Sequence, residues 1–399
     1  MSNLFSLSNI DTRRRVSLLF WAGTSSFLVG LGYGIAHRYA HTQEYPLVEE
    51  TADIYLEPKP VIPLKRNPPK VNIKIKAVGD TIPGTNYPQS RLHPQHELLF
   101  QHVKPILKGA DFLFGNFEST LTNYPFSSKG VGSGLLIAFR TPPSYTQLLK
   151  EAGFDVMSVA NNHSFDFSVQ GFKDTIQNLE KAGIKALGKK RQILIANRKG
   201  LSIAWIGFSY FDYHNSIKNL REAKALVQQA SKHADFVVIS VHAGAEGTGA
   251  MHISNKTEYF FGEDRGNLVQ FSHTMIDNGA DLILGHSPHI PRALELYKGK
   301  LIAYSLGNFM GYRTLSTAGQ LAYTLVLEVE LNNQGDFVSG KIIPVILNGE
   351  GIPYPDPQGR TIRLIRQLTQ SDFPNTPLTI DNKGRILRVN KANSSKADY

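Results

Sequence analysis

At 399 residues, with 41% hydrophobic and 10% aromatic content, the chain carries enough apolar mass for a sizeable core, and one domain of roughly 280 residues plus tails fits its length. It has no cysteine, which excludes disulfides, zinc ribbons and cysteine nucleophiles and suits an oxidising compartment. The formal charge of +10 is spread along the chain without a long Lys/Arg block interleaved with aromatics, so no nucleic acid is expected and a surface near an anionic envelope polymer or lipid is.

Arg13, Arg14 and Arg15 precede an uncharged apolar run from Val16 to Ala36, about the length of a bilayer-spanning helix. The reading is a basic cytoplasmic N-terminus over 1–15 and a transmembrane signal anchor over 16–36, with the remainder exported. Arg38 spoils a small-x-small cleavage site, which favours an anchor that is retained. The expected protein is therefore membrane-anchored through this helix, its folded part on the extracytoplasmic side. Residues 37–70 read as a Pro-rich linker.

The folded domain is expected over 71–350. Val71, Ile73, Ile75 and Ala77 alternate with polar residues to a strand end at Gly79-Asp80. A helix from Glu97 to Leu107 leads to the strand Phe112 to Phe114, which ends at Asn116-Phe117-Glu118. A Gly/Ser-rich loop, Ser127 to Gly134, precedes a helix from Pro143 to Ala152 and the strand Val156 to Val159, which ends at Asn161-Asn162-His163. Helices follow at Val169 to Ala182, Lys218 to His233 and Asn267 to Asn278, with strands at Ile203 to Phe208 and Phe236 to Val241, the latter ending at His242. The strand Leu282 to Leu284 breaks at Gly285 into a loop carrying His286 and His289, which Pro288 and Pro291 are expected to keep extended. A further apolar run, Leu301 to Leu306, returns to the core before Asn308. Leu325 to Glu330 reads as an edge strand pairing with Phe337 to Ile346, where Pro344 marks an edge or a bulge. Residues 351–399 read as a basic C-terminal extension: a helix over Thr361 to Thr369 with Arg360, Arg363 and Arg366 on one side, then disorder from about Lys391.

Strands alternating with helices predict an α/β fold whose parallel strands share one carboxyl edge. Asp80, Glu118, Asn162, His163, His242, His286 and His289 then converge there. Singly, each has a plain account: Asp80 as a cap, Asn161-Asn162 as turn formers, His242 as a structural histidine. Together they read as a site for a divalent metal (Mn, Fe or Zn), one ion or a binuclear pair, with a non-ligating imidazole to protonate a leaving group. Glu246 is read as a substrate contact or a partner of His242, Asp166 as orienting His163 or starting the next helix, and Asn308 as lining the site or a turn amide. Tyr210, Tyr213 and His214 read as a cleft wall or as packing, and the excursion from His252 as a cover. No G-x-x-x-x-G-K-[ST] loop occurs, so this chain alone is not expected to drive polymer synthesis with ATP.

GDTIPG from Gly79, GNFEST from Gly115, ANNHSFDF from Ala160, HAGAE from His242, GHSPH from Gly285 and YSLGNF from Tyr304 resemble, in order, the motifs of the bacterial capsule-synthesis CapA family. That family is associated with poly-γ-glutamate production and is similar to the calcineurin-like metallophosphoesterases. The resemblance, over about Lys74 to Phe309, implies a four-layer α/β/β/α sandwich of metallophosphatase type. It implies Asp80 as first metal aspartate, Glu118 as bridging carboxylate and Asn162, His242, His286 and His289 as further ligands, with His163 as catalytic general acid. Three departures stand out: Ile82 where the Asp-x-His pattern has histidine, Glu118 where aspartate is usual, and two residues, Ser287 and Pro288, between the closing histidines. One ion, two or none are the alternatives this leaves. The implied function is metal-dependent hydrolysis of a phosphoester or polymer linkage in capsule or poly-γ-glutamate-like metabolism. The alternative is a non-catalytic polyanion-binding accessory to polymer synthesis, attachment or export, in contact with a polymer synthase.

Overall fold

The computed structural model describes residues 71–130 and 137–389. The basic N-terminus, the anchor over 16–36, the linker over 37–70, part of the Ser127 to Gly134 loop and the tail from Lys391 lie outside the described residues. No helix among the described residues is long and apolar enough to cross a membrane.

The chain lays down two mixed sheets in three passages. The first gives β1 (Ile73–Ile82), β2 (Phe112–Phe117), β3 (Val156–Ser158) and β4 (Lys185–Leu187), mutually parallel in that order. The second builds the other sheet: β5 (Leu194–Arg198), β6 (Leu201–Ser209), β7 (Phe236–His242), β8 (Leu282–His286), β9 (Leu294–Tyr297) and β10 (Lys300–Ala303), in the order β9-β10-β8-β7-β6-β5. The third returns to the first sheet with β11 (Asn308–Gly311), β12 (Tyr323–Leu331), β13 (Phe337–Leu347), β14 (Pro353–Pro355), β15 (Leu378–Ile380) and β16 (Arg385–Arg388). Helices α1 (Lys104–Leu107), α2 (Thr146–Ala152), α3 (Ser168–Lys181), α4 (Leu220–His233), α5 (Leu268–Asp277) and α6 (Arg360–Asp372) connect them. The result is a mixed α/β fold.

Three apolar clusters explain the arrangement. Between the sheets, Ile73, Ile75, Phe112 and Phe114 meet Trp205, Phe236, Val238, Leu282 and Leu284. These positions fall two apart on each strand, so one face of each strand is buried against the other sheet. The opposite face of the first sheet, through Val78, Leu113 and Met157, packs on Phe100, Leu149 of α2 and Leu179 of α3. The opposite face of the second, through Ile206, Ile239 and Ile283, packs on Val227 of α4 and Met275 of α5. Ile362 and Ile365 of α6, with Leu378 and Ile386, extend the inter-sheet core beyond residue 350.

Three local expectations differ from what is found. The helix read over Glu97 to Leu107 is a 3-10 turn at His96–Leu98 and a short α1, because Pro105 has no N–H to give and its ring excludes a continuous helix before it. The strand read as an edge, β12, is interior: it pairs antiparallel with both β1 and β13. Pro344 lies within β13, opposite Leu325, but its nitrogen falls between the stretches that pair with β16 and β14, where no ladder donor is needed. Finally, the run Leu301 to Leu306 divides: β10 ends at Ala303 and the chain crosses to the first sheet as β11.

Candidate metal centre

The inward face of each central strand is apolar until its carboxyl end and then changes chemistry. On β2 the series Phe112, Phe114 continues to Asn116 and, one step past the strand, Glu118. On β7 it runs Phe236, Val238, Ser240, His242; on β8, Leu282, Leu284, His286. On β1, Ile73, Ile75 and Ala77 point into the core, and a register shift between Ala77 and Asp80 brings Asp80 opposite Asn116 and Asn308. His242 and His286 are directly paired across β7 and β8. Gly79 permits the shift: a Cβ there would lie 1.8 Å from the Gly307 carbonyl oxygen.

These strand ends meet. Asp80 Oδ1 accepts a hydrogen bond from Asn116 Nδ2 at 2.8 Å and stands 3.5 Å from His286 Nδ1. Asp80 Oδ2 lies 3.2 Å from His289 Nδ1, and Glu118 Oε1 lies 3.7 Å from His242 Nε2 and 3.8 Å from His289 Nε2. Asp80, Glu118 and His289 each offer a ligand atom within 4.8 Å of the others. His289 Nδ1 is also 2.9 Å from Asn308 Oδ1. The loop that carries it is not extended as its prolines suggest, since Ser287 and His289 hold φ at 97° and 59°. Tertiary hydrogen bonds override the local preference: Ala243 N–H donates to His286 O and Gly247 N–H to Pro288 O. Such strain in non-glycine residues is sustained where the surroundings over-determine it.

The donor set fits a divalent cation. Asp80 Oδ2, both Glu118 carboxylate oxygens, Asn162 Oδ1, His242 Nε2 and both ring nitrogens of His286 are buried without a hydrogen bond. A folded chain seldom leaves so many polar atoms unsatisfied at one place, because each costs about 1–3 kcal/mol. The electrostatics agree. Burial opposes charge on Asp80, yet His286 and His289 outweigh it and hold its carboxyl well below the usual range. Glu118, buried and beside the charge of Asp80, is pushed well above it. Burial also opposes charge on His289, but Glu118, Asp80 and Glu246 raise it to about 10. Burial holds His242 well below its ordinary value.

Beside the cluster, His163 Nδ1 is 2.8 Å from Asp166 Oδ2, so Asp166 serves the imidazole, and α3 starts later, at Ser168. Asp166 Oδ2 also accepts from Phe139 N–H at 2.6 Å, and its Oδ1 lies 2.6 Å from Lys129 Nζ. Burial lowers the pKa of His163, with the charge of Asp166 opposing it. Asn161 is structural: its Nδ2 donates to Asn116 Oδ1 and Phe117 O, and its Oδ1 accepts from His163 N–H. Asn162 Oδ1 is buried without a hydrogen-bond partner. Glu246 Oε2 lies 3.9 Å from His289 Nε2. Tyr213 and His214 pack with Phe165 and Phe172 as part of an aromatic group.

Sequence reasoning missed two contributors. Asn116, which also lies 3.3 Å from His242 Nδ1, was detectable as the residue two before Glu118 on the same strand face. Lys129 sits in a Gly/Ser-rich loop that gives no periodic signal.

The fold and this cluster define an α/β protein with a candidate metal site at the common carboxyl edge of two sheets. Residues 74–312 match the family described as bacterial capsule synthesis protein PGA_cap, and the chain belongs to that family. The PGA biosynthesis protein CapA of Bacillus subtilis is 30% identical over 318 residues, covering 73% of this chain and 77% of its own. The capsule biosynthesis protein CapA of Bacillus anthracis is 28% identical over 319 residues, covering 73% and 72%. Among solved structures, a 5'-nucleotidase precursor from Thermus thermophilus overlaps with a TM-score of 0.40 at 12% identity, over 71% of this chain and 56% of that one.

Proposed function

We propose that this chain is a membrane-anchored, metal-dependent hydrolase acting outside the cytoplasm on a phosphoester or polymer linkage in capsule or poly-γ-glutamate-like metabolism, built as a four-layer α/β/β/α sandwich of metallophosphatase type. The observation that carries the reading is the group of buried, unsatisfied carboxylate, amide and imidazole atoms where the two sheets meet. The relatives, named for capsule and PGA biosynthesis, supply the context.

Asp80, Glu118, Asn162, His242, His286 and His289 are the residues that would hold one divalent ion or a pair, with Mn, Fe and Zn all suited to this mixed donor set. When bound, such an ion polarises a phosphoryl or carbonyl oxygen and makes water a better nucleophile at neutral pH. The chain's own contribution is positional. Asp166 faces His163 Nδ1 and fixes the ring, leaving Nε2 to exchange a proton with the substrate. Because burial keeps His163 below its ordinary pKa, the free protein presents a neutral imidazole, and an anionic substrate beside it would raise its proton affinity before it protonates a leaving oxygen. Asn308 holds His289 through Nδ1, which leaves Nε2 as its binding nitrogen.

A second reading is supported by Ile82, a fully buried aliphatic side chain where the phosphoesterase pattern places a ligand: a non-catalytic accessory that binds a polyanionic polymer beside its synthase. Hydrolysis of a phosphoester panel and of a γ-glutamyl polymer, with and without added Mn, separates the two. The hydrolase reading expects metal-dependent turnover that falls about 100-fold or more in His163→Gln and disappears in Glu118→Gln. Polymer binding without turnover, in protein that retains its metal, would establish the accessory role instead.

A further inference from the structure

Glu246 follows His242 by four residues, on a loop that the rest of the molecule fixes tightly. Gly244 N–H donates to Arg265 O at 3.0 Å and Gly247 N–H to Pro288 O at 3.0 Å. Arg292, fully buried, grips both oxygens of Glu258 at 2.8 Å and donates from Nη2 to Ala245 O at 3.0 Å, while Ala245 N–H donates to Glu258 Oε2 at 2.8 Å. A second buried arginine, Arg265, donates from Nη1 to Glu246 Oε1 at 2.7 Å and lies over the Tyr210 ring. Two arginine–glutamate pairs thus set the loop, and the inner one reaches the cluster.

The other oxygen of Glu246 is directed at His289. Its Oε2 is 3.9 Å from Nε2, almost the same as the 3.8 Å from that nitrogen to Glu118 Oε1. Both separations are too long for a hydrogen bond. Both are shorter than the span of about 4.2 Å that opposite ligands reach when each binds one ion at about 2.1 Å. His289 Nδ1 faces Asn308 Oδ1 and Asp80 Oδ2, so Nε2 is the nitrogen left to bind.

We infer that Glu246 is a further ligand of this centre, contributing Oε2 to the ion held by His289 Nε2 while Arg265 keeps Oε1. The inference rests on the metal reading of the site. Arg265 fixes the carboxylate in a monodentate pose, so the loop between β7 and the excursion bearing Glu258 and Arg265 belongs to the centre and does not merely cover it. Replacing Glu246 by glutamine preserves size and removes the charge that a divalent ion needs.

The test is Mn2+ binding by the full chain, measured by equilibrium dialysis and by electron paramagnetic resonance, in wild type, Glu246→Gln, Glu246→His and His289→Ala. The expected result is at least a ten-fold loss of affinity in Glu246→Gln, and in Glu246→His a recovered affinity with an added nitrogen coupling in the pulsed resonance spectrum. A role confined to the Arg265 ion pair would make the histidine variant no better than the glutamine one, which would overturn the assignment. Unchanged affinity in Glu246→Gln, beside loss in His289→Ala, would overturn it too while leaving the metal centre standing. Wild type that binds no Mn2+ would overturn both.

Discussion

Asn116 shows how much of the centre depends on a single neutral side chain. It donates to Asp80 Oδ1, accepts from Asn161 and sits beside His242, so it ties three strand ends together. Asn116→Ala should lower stability by about 1–3 kcal/mol, the cost of leaving its buried partners unsatisfied, and weaken metal binding about 10–100-fold; urea unfolding and metal titration measure the two effects separately. His214 gives a prediction of the opposite kind. It is fully buried and burial lowers its pKa from 6.5 to about 3. Above pH 6.5 both folded and unfolded chains carry it neutral. Between about 6.5 and 3 only the unfolded chain takes the proton, so stability falls as pH falls, and the loss is complete below about 3. Between pH 7 and pH 5, wild type should therefore lose about 2 kcal/mol more than His214→Gln, read from urea midpoints at the two values. The charged residues of the cluster were legible in the sequence because each stands at the end of an apolar run. Asn116 hid because a polar residue inside a strand sequence, without charge, gives the weakest version of the same signal. Lys129 hid because contacts made from a loop leave no period to read.

At the scale of elements, the strand alternation was legible and the pairing was not. The helices read over Val169 to Ala182, Lys218 to His233 and Asn267 to Asn278 correspond to α3, α4 and α5, since each has a sustained apolar face. The interior place of β12 was hidden because its Glu328 and Glu330 suggest an exposed edge. Glu328 instead lies 3.6 Å from both Lys74 and Lys76 of the neighbouring β1, and Glu330 accepts from Asn72 and Ser339. The crossing after β10 was hidden for a similar reason: a largely apolar run does not reveal that only its first half, to Ala303, is strand in the second sheet, while Tyr304 to Leu306 leads across to β11 in the first. That crossing places Gly307 against Gly79, and Asp80 N–H donates to Gly307 O at 2.9 Å. Gly79→Ala forces these backbones apart, because the added carbon would overlap the Gly307 carbonyl. The expected outcome is a loss of about 1–3 kcal/mol together with weaker metal binding, as Asp80 moves with its strand. Gly249→Ala, where an added Cβ meets nothing within 4 Å, should change neither by more than about 0.5 kcal/mol.

For the molecule as a whole, the centre is made by neither sheet alone. Asp80, Glu118 and Asn308 come from strands of the first sheet or their ends, His242 and His286 from the second, and His289 from the loop between β8 and β9. A bound ion should therefore couple the two sheets and stabilise the complete fold. At a free metal concentration one hundred times the dissociation constant the expected gain is about 2.7 kcal/mol, seen as a higher thermal midpoint that a chelator reverses. The same geometry explains why the site was legible before its fold was: residues more than two hundred positions apart share one chemistry because parallel strands end at one edge. Which strands neighbour which, and hence which donors lie within ligand distance, is set by packing between the sheets and cannot be read from any local stretch.

The most direct test of the account is the transition-metal content of the purified protein, determined beside that of the double variant His286→Ala, His289→Ala. One or two ions per chain in wild type, absent from a variant that keeps the wild-type circular dichroism spectrum, is the predicted result. A wild-type protein that is folded, exposed to Mn, Fe and Zn and still free of metal would contradict the metal centre and every function built on it.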